Sequence, residues 1–181
     1  MAYVPGVQPE LVAANGRRFP GFATAVMAFI LDPSTRRFLL LSSPAKRARP
    51  GWEIVNGGVE AGETQLDGLM REVAEEAGPD VQLRVLGTVH AWSYRYDDQV
   101  THLLTTAYVA TYLGGEVAPG DDMAGSEVRW ASLEEIRELS ESGTGLIPPG
   151  VWIFERALQC FDLWSDLDAS ELPGWDAATD A

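Results

Sequence analysis

A chain of 181 residues, 46% of them hydrophobic and 22% charged, has the length and apolar content of one domain with its own core. Its formal charge of -14 disfavours nucleic-acid backbones and anionic membranes as partners, and no apolar run approaches the roughly eighteen residues that a membrane span needs. The opening Met1-Ala2-Tyr3-Val4-Pro5-Gly6 has neither the basic head nor the apolar stretch of an export signal, so a cytoplasmic location is expected.

Residues 1–20, rich in Pro and Gly, read as an irregular arm carrying at most one short strand. Ala23 to Leu31 and Phe38 to Leu41 are apolar, β-prone runs joined by the hairpin segment Asp32-Pro33-Ser34-Thr35-Arg36-Arg37, and they are expected to be central strands. Trp52 to Val55 is a short strand running into Asn56-Gly57-Gly58, where a glycine turn is expected. Thr64 and Asp67 form a capping-box pattern that opens a helix closed by Gly78-Pro79. Val81 to Tyr96 and Val100 to Tyr112 form a long hairpin about Asp97-Asp98-Gln99. A short strand over Glu127 to Trp130, a helix from Leu133 to Leu139 capped by Ser132, and a last helix from Pro148-Pro149 to about Leu167 follow. The domain proper is thus expected over 21–147. The last helix, 148–167, packs on it or on a second copy in a homodimer, because its apolar surface is wider than one stripe; 168–181 is an acidic tail. Cys160 is the one cysteine, which excludes an internal disulfide and a multi-cysteine metal site, and reads as a small buried hydrophobe.

The helix after Thr64 carries the chemistry. At about 100° per residue, Leu66, Leu69, Met70, Val73 and Ala77 share a core face, whereas Glu72, Glu75 and Glu76 fall together on the flank and back. Like charges about 5 to 6 Å apart repel by about 3 kcal/mol at an effective dielectric near 20, and by under about 1 kcal/mol in water. A solvated patch tolerates that repulsion as an ordinary polar face; a patch lining a cleft calls for cations. Hard oxygen ligands favour Mg²⁺ or Mn²⁺, and Mg²⁺ commonly shares its shell with substrate phosphates.

Gly57, five residues, Glu63, seven residues, then Arg71-Glu72-Val73-Ala74-Glu75-Glu76-Ala77-Gly78 resembles the signature of the Nudix hydrolases. The signature spans Gly57 to Pro79, and a softer resemblance runs from Ala23 through Trp52 to Glu127-Val128-Arg129-Trp130 and the helix beyond. Two positions depart from it: Pro79 stands where the family prefers an aliphatic residue, and Asn56 where a proline often precedes the paired glycines. The resemblance implies an α/β/α sandwich with a mixed β-sheet between helices, and Mg²⁺-dependent hydrolysis of a phosphoanhydride in a nucleoside diphosphate linked to another group. It implies that Glu72, Glu75 and Glu76 bind the metal, that the Gly57 carbonyl adds a ligand, and that Arg71 and Glu63 form a supporting ion pair. Glu72, Glu76 and Glu127 are the candidates for general base. A catalytically silent relative that binds a nucleotide as a sensor is the rival reading, and three retained crowded glutamates argue against it.

On the substrate side, a three-residue hairpin loop places His90, Trp92, Tyr94 and Tyr96 on one sheet face, opposite Thr106, Leu104, His102 and Val100. Such an aromatic stripe serves either as core or as a stacking platform for a base, and Trp92, Tyr94 and Tyr96 are the candidates for the second role. Tyr96 is spaced like the tyrosine of dinucleoside polyphosphate hydrolases. Lys46, Arg47 and Arg49 are candidates for binding terminal phosphates, against the alternative of a solvated basic loop. His90 and His102 are expected to be packed or hydrogen-bonded rather than metal ligands.

Overall fold

The computed structural model describes residues 10–42, 51–120 and 123–167. Its strands are β1 (Glu10–Val12), β2 (Arg18–Pro20), β3 (Ala23–Asp32), β4 (Arg37–Ser42), β5 (Gly51–Glu53), β6 (Val55–Gly58), β7 (Gln82–Tyr94), β8 (Leu103–Gly114), β9 (Glu127–Ala131) and β10 (Gly145–Ile147). The helices are α1 (Gln65–Glu72), continued by a π-helical turn over Val73–Ala77, then α2 (Leu133–Glu141) and α3 (Val151–Trp164). β1 and β2 form a hairpin of their own, and the other strands form one mixed eight-stranded sheet.

β3 is the axis of that sheet. It pairs in parallel with β8 along one edge, from Ala23 opposite Leu103 to Leu31 opposite Thr111. Its other edge is shared: β6 lies antiparallel along the first half, and β4 takes the end at Leu31 and Asp32. Every residue from Val26 to Leu31 is buried because helices cover both faces of the strand. Met27, Phe29 and Leu31 face a core completed by Ile136 of α2 and by Ile153, Phe154, Ala157 and Phe161 of α3. Val26, Ala28 and Ile30 face Leu69, Val73 and Ala77 on the α1 side. The result is an α/β/α sandwich, as expected.

Phe154 is the keystone of the α3 side, with its ring edge-on to Phe29 at 5.0 Å and to Phe38 at 5.3 Å. α3 seats further along β7 because Gly87 has no side chain: a Cβ there would lie 2.7 Å from the Trp164 ring. Ile153, Phe154, Ala157 and Phe161 account for the apolar width of this helix by packing on the sheet, while Trp152 and Leu163 stay exposed.

Three expectations are corrected. Asn56-Gly57-Gly58 is not a turn but part of β6, opposite Met27, Val26 and Ala25, and neither glycine needs a left-handed backbone. Met70 leaves the core face and is 42% exposed, since the helix meets the sheet through Leu69 and Val73. The β7–β8 register is displaced by one residue: Trp92 opposes Thr105 and Tyr94 opposes Leu103, because residues 95–102, and not a three-residue loop, join the two strands. Two small pairings escaped the sequence, the β1–β2 hairpin and the parallel β10–β5 pair.

Phe154→Ala removes a ring that packs against two others in a fully buried position, and is expected to cost about 3 to 5 kcal/mol of stability in urea or thermal denaturation.

Candidate functional site

α1 begins with a complete capping box. The Thr64 hydroxyl accepts from the Asp67 amide at 3.2 Å, and the Asp67 carboxylate accepts from the Thr64 amide at 3.0 Å. The helix then projects Arg71 toward the loop it has just left. Its Nε and Nη2 donate to the two carboxylate oxygens of Glu63 at 2.8 and 3.2 Å, and its Nη1 donates to Glu72 and Glu75, both at 2.9 Å. Nη2 also donates to the Gly58 carbonyl at 2.7 Å. A guanidinium offers five N–H groups in a rigid fork, and these five contacts occupy that capacity. The Glu63 carboxyl is held below its ordinary range, first by Arg71 and then by the Glu60 amide.

The π-helical turn delivers the remaining acids. The Gly78 amide bonds back to the Val73 carbonyl at 3.1 Å, five residues earlier, which widens the turn that carries Glu75 and Glu76. Glycine is required at its end: Gly78 has φ of 122°, and a Cβ there would sit 3.0 Å from the Ala118 backbone. Glu72 and Glu76 are buried, not spread over a wet helix back. Burial strengthens the mutual repulsion of these carboxylates and raises their demand for positive company, part of which Arg71 supplies.

β6 closes the site from the other side. The carboxylate of Glu72 lies over Gly57 so closely that a Cβ there would be 2.0 Å from its Oε1, which is why residue 57 is glycine. The Asn56 amide donates to Glu76 Oε2 at 2.9 Å, and the Asn56 side-chain nitrogen donates to Glu53 Oε2 at 3.2 Å and to the Ile54 carbonyl at 2.8 Å. Asn56 and Glu53 were missed from the sequence as site residues. The signal available was an ionisable residue inside the apolar run Trp52 to Val55, a position that demands polar company once the strand is buried.

Gly57, Glu63, Arg71, Glu72, Glu75 and Glu76 are therefore brought together, with Asn56 and Glu53 added. Glu127 opens β9 opposite Ser42; it is exposed and takes no part in the Arg71 network. Lys46, Arg47 and Arg49 lie outside the described residues. Tyr94 and Tyr96 line a cleft of about 390 Å³ together with Ala25, Met27, Asn56, Gly57 and Thr105. Trp92 is a correction: it stacks on His90 at 5.6 Å and packs against the α3-side core, so it supports the sheet and does not line the cleft.

The donor set is all oxygen. Among the described residues no three acidic side chains close into a ready cage, because Arg71 holds Glu72 and Glu75. Such donors suit an ion that keeps several waters and takes one or two carboxylates, which is the habit of Mg²⁺.

A model of the NUDIX domain matches residues 21–148, most of the chain. The chain belongs to the NUDIX family. Over 98 residues it is 33% identical to MutT4 of Mycobacterium tuberculosis, a match covering 54% of this chain and 39% of that one. The chain thus spans about two fifths of that relative's length. A Nudix hydrolase from Nitrosomonas europaea superposes with a TM-score of 0.59 at 15% identity, over 86% of this chain and 99% of that one. An ADP-ribose pyrophosphatase from Streptococcus suis superposes at 0.52 with 18% identity, over 86% and 96%. At these identities the two structures establish the shared Nudix fold.

Gly57→Ala is expected to lower turnover about a hundredfold by displacing the Glu72 carboxylate, with the thermal midpoint nearly unchanged because the end of a flexible side chain can move aside. Steady-state kinetics beside a melting curve checks it, and wild-type rates in that variant would refute the close approach. The Glu63 contribution to stability is present above the ordinary glutamate value of 4.5 and is lost as pH falls through its lowered folded-state value. Arg71→Met should accordingly flatten the acid limb of a stability-versus-pH curve recorded without metal.

Proposed function

We propose that this chain hydrolyses a phosphoanhydride bond in a nucleoside diphosphate linked to a further group, with Mg²⁺, or Mn²⁺ in its place, held by Glu72, Glu75 and Glu76 and by the Gly57 carbonyl. Dinucleoside polyphosphates, nucleotide sugars, ADP-ribose and nucleoside triphosphates share that chemistry. The observation that carries the reading is the position of Gly57, which touches the Glu72 carboxylate on one side and lines the cleft on the other. A molecule with its pyrophosphate at the glutamates therefore has the rest of its body in the cleft.

The lining of the cleft fits a flat, uncharged group. Its described side chains are aliphatic, aromatic or neutral polar, with Tyr94 and Tyr96 as aromatic walls, and its volume falls in the range of about 300 to 1,000 Å³ usual for small-molecule sites. A base stacked on tyrosine suits that lining better than a second phosphate, which would need cations.

A divalent ion in this site supplies neutralisation of the phosphate oxygens and an acidified water. The chain's own residues position the partners. Arg71 fixes the azimuth of Glu72 and Glu75, and the Asn56 amide orients the Glu76 carboxylate by donating to its Oε2. Glu76 is the group we assign as base for the attacking water; it is buried, oriented and next to the cleft strand. Lys46, Arg47 and Arg49, just ahead of β5 in the chain, supply positive charge for terminal phosphates.

Incubation with Mg²⁺ and a panel of the four substrate classes, with products separated by chromatography, tests the reading. Glu76→Gln keeps an acceptor for the Asn56 amide, so it is expected to fold normally and to lose about a hundredfold to ten-thousandfold in turnover. Tight nucleotide binding with no product from any substrate would instead favour the silent sensor.

A further inference from the structure

Thr105 stands in β8 between Ala25 of β3 and Trp92 of β7. Side chains alternate along the strand, and Ala107 and Val109, two and four residues on, point to the α3-side core that Met27 also joins. Thr105 shares that face and forms part of the cleft lining with Ala25 and Met27. It is fully buried, and its Oγ1 has no hydrogen-bond partner among the described residues.

A buried hydroxyl without a partner is destabilising, and valine would fill the same space in a strand without that penalty. A polar group of a molecule bound in the cleft would supply the missing partner. Of the other polar lining groups, the Asn56 side-chain nitrogen is already committed, since it donates to Glu53 and to the Ile54 carbonyl. In a cleft lined mostly by aliphatic and aromatic groups, with Thr24 and Asn56 as further polar residues, Thr105 offers a rotatable group that can donate or accept.

We propose that the Thr105 hydroxyl is a specificity determinant that hydrogen-bonds an edge of the heteroaromatic base entering this cleft. The proposal rests on the assignment of the cleft to the base made above. A hydroxyl that serves as donor or acceptor does not choose between edges by polarity. It selects by reach, favouring a base whose polar edge arrives at the floor and penalising an apolar ring or an abasic ligand.

The test measures binding of the noncleavable α,β-methylene diphosphates of adenosine, guanosine, cytidine and uridine, and of base-free methylenediphosphonate. Titration calorimetry with Mg²⁺ is applied to the full chain, to Thr105→Val and to Thr105→Ser. At least one nucleotide is expected to lose roughly tenfold in affinity in Thr105→Val and to recover in Thr105→Ser, with methylenediphosphonate unaffected. The thermal midpoint of Thr105→Val should equal or exceed that of the parent, because an unsatisfied group has been removed. Nucleotides that bind better than methylenediphosphonate yet are indifferent to Thr105→Val would overturn the role of Thr105 and leave the cleft assignment standing. So would a midpoint lowered by several degrees, which would make the hydroxyl a structural group. Methylenediphosphonate binding as tightly as all four nucleotides would defeat the cleft assignment itself, and this proposal with it.

Discussion

The site depends on one guanidinium. Arg71 contacts Glu63, Glu72, Glu75 and the Gly58 carbonyl at once, and so joins the loop, the helix and the end of β6. Without it, buried like charges on adjacent helical turns would splay the helix away from the strand. Its side chain is only 23% exposed, so these bonds are less screened than surface ion pairs. Lysine carries the same charge but cannot reproduce the fork, which makes the residue type part of the architecture.

The second constraint is the gap at Gly57. The carboxylates belong to the α1 side of the sheet and the cleft to its neighbourhood on the opposite side, and β6 is the strand between them. Because residue 57 lacks a Cβ, the Glu72 carboxylate rests almost on the backbone. Asn56 completes the junction through a backbone N–H that reaches Glu76, a bond that proline at the same position could not make. A departure from the family's usual pattern thus takes part in holding an acidic side chain in place.

Electrostatics connects these local devices to the whole chain. A protein of charge -14 that handles a polyanion needs compensation at the point of contact. The described cleft lining is uncharged, and the guanidinium nearest the glutamates is fully engaged with them. In the function proposed above, divalent cations between carboxylate and phosphate would meet that need, leaving the neutral cleft to discriminate by shape and by a few hydrogen bonds. Along the β7–β8 hairpin, Trp92 and His90 stack on one another and Trp92 packs under α3, while Tyr94 and Tyr96, nearer the turn, border the cleft.

The sequence alone determined the elements whose causes are local. The capping box at Thr64, the apolar runs of β3 and β4, the Ser132 cap and the spacing from Gly57 to Gly78 are short-range patterns of side-chain chemistry, and the structure reproduces each. Only the tertiary structure decided what depends on two segments meeting. Gly57 reads as a turn until Glu72 is laid against it. Glu53 and Asn56 gain meaning only when β6 is paired to β3 beside the helix. Trp92 and Tyr94 share a stripe in the sequence and one face of the strand in the structure, and what packs along that face gives one to the α3-side core and the other to the cleft. The physical reason is that caps and amphipathic runs draw their energy from neighbours within a few residues, whereas burial, close approach and register are properties of surfaces brought together across the chain.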